Sequence, residues 1–195
     1  MKVVFIGSGN LATHLSLAMK GAGIEVVQVY SQTESHASLL ANKLSCSFAT
    51  EPESIVIDAD IYIFSVKDSA LLDLIHKIPQ NKGLWLHTAG SVPMGVFEGY
   101  NDRYGVLYPL QTFSKNRDID FSIVPVFIES NSAGDEAYLL SFAGKLTRQV
   151  ISLSSEKRKH LHLAAVWACN FTNHMYLMAS KILQEQSLSE AFLLP

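Results

Sequence analysis

The sequence contains little cysteine, no large excess of charge and no long apolar run, and each shortage excludes a class of protein. Its two cysteines, Cys46 and Cys169, stand in no metal-ligand or CxxC spacing, so we expect both to be reduced, buried thiols in a cytoplasmic protein. The formal charge of -3 gives no electrostatic reason to expect a nucleic acid or an anionic membrane surface as a partner. No apolar run approaches the roughly 18 to 20 residues that span a bilayer. The 48% hydrophobic content instead predicts a soluble, globular protein.

Apolar runs of strand length alternate with amphipathic helical segments over residues 1–153. The pattern predicts strands at 2–7, 24–30, 61–66, 83–88, 104–108, 125–129 and 148–153. It predicts helices at about 10–22, 34–44, 68–78 and 133–146. Because strands alternate with helices, we expect an α/β fold with a doubly wound, mostly parallel sheet.

The chain changes character after residue 153, since neither glycine nor proline occurs between Gly144 and Pro195. A single long helix is predicted from Ser154 or Ser155 to about Leu183, with an apolar face too broad to be covered by the sheet alone. We therefore expect residues 154–195 to begin an all-α C-terminal domain. About 40 residues are too few to complete one. Either a partner chain completes it, giving a homodimer through the helical domain, or the sequence is part of a longer protein.

A glycine turn follows the first predicted strand and opens the first helix. It has the form GxGxxA and consists of Gly7, Ser8, Gly9, Asn10, Leu11 and Ala12. In such turns the first glycine permits the bend, the second lets the backbone approach a phosphate, and the small third residue lets the helix pack on the strand. The context predicts a site for the pyrophosphate of a dinucleotide. The alternative is a tight connection with nothing bound.

The end of the second predicted strand lacks the carboxylate that usually holds the ribose 2′-hydroxyl of NAD. Residues 29–33 read VYSQT, with no acidic side chain before Glu34. This omission favours NADP over NAD, with Ser31 and Thr33 as donors to a 2′-phosphate, although no arginine is present to pair with it. The alternative is that these residues form a solvated loop and that NAD is bound.

The carboxyl ends of parallel strands meet at one edge of a sheet, where ligands bind. On that rule the cofactor cleft also receives a second set of residues from the third and fourth predicted strands, namely Ser65, Val66, Lys67, Thr88, Ala89 and Gly90. His87 ends an apolar strand there, and its imidazole is a candidate acid or base. The alternative is a histidine at the edge of the core that bonds only to backbone.

A polar line runs along the long predicted helix. It includes His162 and Asn170, which lie on one face at helical spacing. Facing the cleft, this pair could hold the carbonyl or carboxylate of a substrate; facing another helix, it could form a hydrogen-bond network in a bundle or dimer. No metal site is expected, because no cysteine or acidic residue lies at helical spacing to complete a set with the nearby histidines.

Three further stretches resemble one family of proteins. They are FSVKDSAL (64–71), LHTAGSVPMGVF (86–97) with LYPLQTF (107–113), and HLAAVWACNFTNHM (162–175). Together with the glycine turn they resemble bacterial proteins that join a Rossmann-like NADP oxidoreductase domain to a helical domain of unknown function. That family is similar in its first domain to pyrroline-5-carboxylate reductase and to the deazaflavin-dependent NADP reductases. Its helical domain continues past the equivalent of Leu194, which favours the longer-protein interpretation.

The resemblance implies an NADP-linked oxidoreductase that moves a hydride to or from a small carbonyl, imine or hydroxyacid. The sequence departs from the family at Lys67, where proline is common, and at Tyr108, where the family has histidine. If that histidine donates a proton elsewhere, Tyr108 has to replace it. The alternative function is a dinucleotide-binding sensor without turnover that acts through a helical dimer face.

Overall fold

The computed structural model describes residues 1–114 and 117–193, which form one mixed sheet with helices on both faces and a long helix leading away from it. The strands are β1 (Lys2–Ile6), β2 (Glu25–Tyr30), β3 (Ser47–Ala49), β4 (Ile61–Phe64), β5 (Leu84–His87), β6 (Tyr104–Pro109), β7 (Val126–Ser130) and β8 (Val150–Ser152). The α-helices are α1 (Asn10–Gly21), α2 (Glu34–Leu44), α3 (Asp68–Ile75), α4 (Ala133–Ala143), α5 (Ser155–Ala165) and α6 (Thr172–Glu185).

The strand order is β3-β2-β1-β4-β5-β6-β7-β8, and all neighbours are parallel except β6 and β7. Side chains of the central strands alternate between two cores. Val3 and Phe5 of β1 face the core under α1, α2 and α4, whereas Val4 and Ile6 face the core under α3. Because both faces are covered, β1, β4 and β5 are apolar almost throughout. The doubly wound, Rossmann-like sheet predicted from the sequence is confirmed.

Some boundaries differ from the predictions. The edge strand β3 was not predicted, because three residues are too short to show a period. Helix α3 ends at Ile75 rather than residue 78, since the residue before Pro79 disfavours helical backbone. Helix α4 ends at Ala143, where Gly144 follows as its C-cap. Strand β7 runs antiparallel to β6, and the described part of the segment between them, residues 110–125, contains a 3-10 turn (Phe121–Ile123) but no crossover α-helix.

The long C-terminal helix is confirmed, with a π-helical turn at Val166–Phe171 between α5 and α6. The hydroxyl of Ser154 caps its start by accepting the backbone N–H of Lys157. Neither the π-helical turn nor α6 contains a buried residue, and Trp167, Met175 and Ile182 are each more than 60% exposed (61%, 62% and 63%). The predicted boundary between residues 153 and 154 falls in the link from β8 to α5, and the two-domain division stays a prediction.

The cysteine prediction was wrong in one respect. Both thiols are free, but Cys46 is half-buried and Cys169 is exposed, because Cys169 lies where the helix has left the sheet. Within residues 1–114 and 117–193, no helix is long and apolar enough to cross a membrane.

Candidate active site

A cleft of about 750 Å³ opens at the carboxyl ends of β1, β2, β4 and β5. Every predicted cofactor-binding residue lines it except one: Gly7, Ser8, Gly9, Asn10, Leu11, Ser31, Thr33, Ser65, Val66, Lys67, Thr88, Ala89 and Gly90. The exception is Ala12, which is buried in the core beneath the turn. This position follows from its small size, since it lets α1 pack closely on the sheet.

The glycine turn leaves the first amides of α1 open to this cleft. Gly7 has a φ of +115°, and a Cβ built on it would lie 2.2 Å from the carbonyl oxygen of Ser65. Gly9 is the N-cap of α1, no side chain caps the helix there, and a Cβ on Gly9 would meet nothing within 4 Å. Uncapped N–H groups at the positive end of a helix form a binding site for phosphate.

The ribose end of the cleft lies beside β2 and α2. The hydroxyl of Ser8 donates to that of Ser31 over 2.9 Å, and Thr33 is the N-cap of α2. Sequence reasoning missed His36, which lines the cleft from the first turn of α2. His36 and Lys43 also border a smaller adjoining hollow with Ser8. Their seven-residue spacing on a predicted helix was the available signal, but only the packing of α2 shows that this face borders the cleft.

A tyrosine and a histidine meet where the cleft joins a second pocket. The phenol oxygen of Tyr108 lies 2.8 Å from Nδ1 of His162, with the two rings edge to face. Both residues line the 750 Å³ cleft and also a neighbouring pocket of about 430 Å³. Burial raises the pKa of Tyr108 to about 12, against a smaller lowering effect of the Arg158 charge. The phenol therefore stays protonated well above neutral pH.

The second pocket holds the other predicted residue of the helix. Asn170 lines it from the π-helical turn, together with Gln111 and Thr112 from the segment after β6. The structure thus brings Asn170 and His162 to the same pocket, but of the two only His162 also borders the cofactor cleft.

A loop of small residues, 88–90, lies between the end of β5 and the ring of His162. A Cβ built on Gly90 would lie 2.5 Å from the ring of His162. Residues 88–90 therefore form a floor loop on which the His162 ring rests, and the absence of a side chain at Gly90 lets that ring reach Tyr108.

His87 lies apart from this pair. Its side chain is fully buried in the core beside Phe97, and its Nδ1 accepts the backbone N–H of Ala89 over 3.2 Å. Burial, and next the charge of Arg158, lower the pKa of His87 to about 3. His87 is not among the residues that line the cleft, because its imidazole is enclosed in the core beside Phe97. Its role as an acid or base stays a prediction.

We expect His87 to make the fold sensitive to acid. The pKa of His87 is about 3 in the folded protein, against an ordinary value of 6.5. As the pH falls from 6.5 toward 3, the unfolded chain takes up a proton that the folded protein does not, so folding loses about 1.4 kcal/mol per pH unit. Urea unfolding of the wild type and of His87→Gln at several pH values measures this loss. Equal slopes for the two proteins would contradict the expectation.

Comparison with known proteins identifies the chain. Residues 2–86 match the family described as NADP oxidoreductase, coenzyme F420-dependent, and residues 124–195 match a domain of unknown function, DUF2520. A Bacteroides fragilis protein assigned as an NADP oxidoreductase is 45% identical over 100% of this chain and 76% of its own, with a TM-score of 0.92. The chain belongs to this NADP oxidoreductase family. The predicted resemblance is therefore confirmed.

More distant proteins of the same fold include reductases. The chain is similar to an imine reductase from Myxococcus stipitatus in complex with NADP+, at 16% identity over 93% of this chain and 66% of that one, with a TM-score of 0.73. It is also similar to the pyrroline-5-carboxylate reductase of Streptococcus pyogenes, at 12% identity, 98% and 73% coverage and a TM-score of 0.74. No curated protein sequence matches the chain. Tyr108 lies between the two regions that match these families.

Proposed function

We propose that the protein is an NADP-dependent oxidoreductase that transfers a hydride to or from a small carbonyl, imine or hydroxyacid. The observation that supports this most strongly is the Tyr108–His162 pair, which borders the dinucleotide-shaped cleft and the second pocket at once. A substrate in the second pocket would have a proton donor beside it at the mouth of the cofactor cleft. The family and the fold agree with this chemistry.

The cleft fits the cofactor by its own residues. The uncapped amides of α1 would hold the pyrophosphate, and Ser31, Thr33 and His36 the 2′-phosphate. No carboxylate is present in residues 29–33 to repel that phosphate. The floor loop, residues 88–90, would lie beneath the nicotinamide. When bound, NADPH supplies the hydride, and NAD is the alternative cofactor.

The side chains of the second pocket would position the substrate and supply the proton. In the reducing direction the carbonyl carbon gains the hydride, and its oxygen gains the proton from the Tyr108 hydroxyl. His162 Nδ1 lies 2.8 Å from the phenol oxygen, and the tautomer protonated at Nδ1 would donate to that oxygen and leave the phenol proton free for the substrate. Asn170 has an amide that can bond the substrate from the opposite wall.

Ligand-induced stabilisation tests the cofactor assignment. A ligand that binds only the folded state raises stability by about 2.7 kcal/mol at 100 times its Kd. Melting temperatures would be measured with NADPH, NADP, NADH, NAD and flavins at equal concentration. We expect NADPH to give a larger rise than NADH. A shift with NADH and none with NADPH would overturn the preference for the phosphorylated cofactor.

Substitution on the long helix tests the catalytic assignment. We expect His162→Ala and Asn170→Ala each to abolish turnover while leaving the Kd of NADPH within about two-fold, because neither residue borders the pyrophosphate turn. His160→Ala is the matched control, since His160 is an exposed histidine whose Nδ1 bonds the backbone of its own helix. Undiminished kcat in both site variants would show that this pocket is not the substrate site.

We also propose a cytoplasmic homodimer formed through the C-terminal helix. The stacked rings of Trp167 and Phe171 and the exposed Met175 and Ile182 support it, because large exposed apolar patches mark association sites. The same surface favours the second candidate function, a nucleotide sensor without turnover. Sedimentation velocity with and without NADPH separates the two. A sensor would change its association state with nucleotide and show no turnover in a broad screen of carbonyls and imines.

A further inference from the structure

Arg158 is a fully buried charge that lies one helical turn before His162 on α5. It is 1% exposed, and its guanidinium forms a fork. One arm, Nη1, donates to Oε2 of Glu129 on β7 over 2.6 Å. The other arm, Nη2, donates to the carbonyl oxygen of Val92 over 2.6 Å and to the hydroxyl of Ser155 over 3.2 Å.

Glu129 and Ser155 complete the network around that fork. The carboxylate of Glu129 accepts the backbone N–H of Ser155 over 2.8 Å and the Ser155 hydroxyl over 2.6 Å. The same hydroxyl accepts the backbone N–H of Met94 over 2.9 Å. The network therefore ties together β7, the segment that follows the floor loop, and the first turn of α5.

Those three segments are the supports of the Tyr108–His162 pair. Val92 is two residues beyond Gly90, against which the His162 ring rests. His162 itself is four residues beyond Arg158 on the same helix. On β7, Phe127 is the register partner of Tyr108.

Stability alone does not account for a buried arginine in this place. Transfer of an ion pair to the interior costs about as much free energy as the attraction returns, and apolar side chains often serve as well. A fork with fixed donor directions does what an apolar residue cannot, since it sets the distance and angle between three backbone segments.

We propose that Arg158 is a positioning residue, which holds the floor loop and α5 at the spacing that keeps the His162 ring in hydrogen-bond contact with Tyr108. The inference rests on the proposed function, because it assigns Arg158 a role in the same reaction. Three charged or titratable groups lie near Tyr108 and His162 through the Arg158 network. Besides His162 itself, these are Arg158 from α5, Glu129 from β7, which pairs with Arg158, and His87 from β5, whose pKa the Arg158 charge lowers. The charge of Arg158 also opposes the rise that burial imposes on the pKa of Tyr108.

Kinetics of Arg158→Met give the first test. We expect kcat to fall about 100-fold, as for a displacement of about 1 Å at a reacting group, with NADPH Kd and substrate KM within about three-fold. The matched control is Arg103→Met, because Arg103 immediately precedes β6, the strand that carries Tyr108 near its other end, and is paired with Asp135. The control should lose stability and keep its kcat. Equal kcat losses in both variants would overturn the proposal.

Conservative variants identify the role of the fork. Lysine keeps the positive charge, but its single ammonium group cannot form both sets of hydrogen bonds, to Glu129 and to Val92. We therefore expect kcat of Arg158→Lys to remain at least about ten-fold below that of the wild type. If Arg158→Met does not fold, Ser155→Ala and Glu129→Gln decide instead, each with an expected kcat loss of about five- to ten-fold at unchanged NADPH Kd. Full kcat in these milder variants, or full rescue by lysine, would overturn the positioning role.

A spectroscopic measurement separates this inference from the proposed function. In protein labelled with 15N-histidine, the Nδ1 signal of His162, assigned with His162→Gln, reports its hydrogen bond to Tyr108. We expect this signal to move in Arg158→Met to the position it has in Tyr108→Phe, and to stay in place in Arg103→Met. An unmoved signal overturns the inference even in an active enzyme. A moved signal together with no turnover on any substrate refutes the proposed function alone.

Discussion

Tyr108→Phe is expected to lower kcat about 100- to 1,000-fold while changing the Kd of NADPH less than about two-fold. The substitution removes only the phenol oxygen, which is the atom that contacts His162 Nδ1 at the junction of the two pockets. The ring remains to pack against Phe127, so the fold should persist. Stopped-flow or steady-state oxidation of NADPH with an active carbonyl or imine substrate measures the effect.

The pH dependence and a second tyrosine provide the controls. Because burial raises the pKa of Tyr108 to about 12, the wild-type reduction rate should show no loss from ionisation of this phenol at any pH well below 12. Tyr104→Phe changes the same residue type at the start of the same strand and should leave kcat unaltered. A Tyr108→Phe enzyme with normal kcat would mean that another group or water supplies the proton.

Replacing Gly7 or Gly9 of the first turn by alanine is expected to impair different properties, the stability of the fold in one case and the binding of NADPH in the other. In Gly7→Ala the new Cβ meets the backbone of Ser65 at 2.2 Å with a φ of +115°, so we expect a loss of several kcal/mol and little folded protein. In Gly9→Ala the new Cβ meets nothing within 4 Å, so the protein should fold with an unchanged melting temperature. Its methyl group would instead lie where a pyrophosphate must approach the α1 amides, and NADPH Kd should rise about 100-fold.

Melting curves and fluorescence titration with NADPH measure both outcomes on the same preparations. Gly134→Ala, at an exposed glycine in the first turn of α4 with no neighbour within 4 Å of its Cβ, is the control for a harmless glycine substitution. Normal binding by Gly9→Ala would show that the open amides of α1 do not hold a phosphate. A stable Gly7→Ala would show that the turn can relax away from β4.

Local sequence patterns were sufficient to predict the strands and helices that form the site and most of the residues that line the cofactor cleft. Every predicted strand and helix is present. Among the predicted cofactor residues, only Ala12 fails to line the cleft. The periodicity of strands and helices, glycine turns and helix caps each depend on residues that are close together in the sequence. In a parallel sheet the carboxyl ends of the strands all lie at one edge, so the residues that follow them meet there. The weak points were the three-residue strand β3 and the helix ends, where the local signal is short.

Contacts between residues far apart in the sequence could not be predicted from local patterns. Tyr108 and His162 are 54 residues apart, and nothing in either neighbourhood indicates that they touch. The enclosure of His87 beside Phe97, and the border that His36 and Lys43 form with Ser8, depend on how distant segments pack against each strand or helix.

The amino-acid sequence by itself thus determined the doubly wound sheet, the glycine turn and the family, because each of these depends on short-range periodicity or on a contiguous motif. Only the tertiary structure decided which residues meet at the site, since the packing of the chain brings a tyrosine on β6 and a histidine on α5, from distant segments, within 2.8 Å of each other.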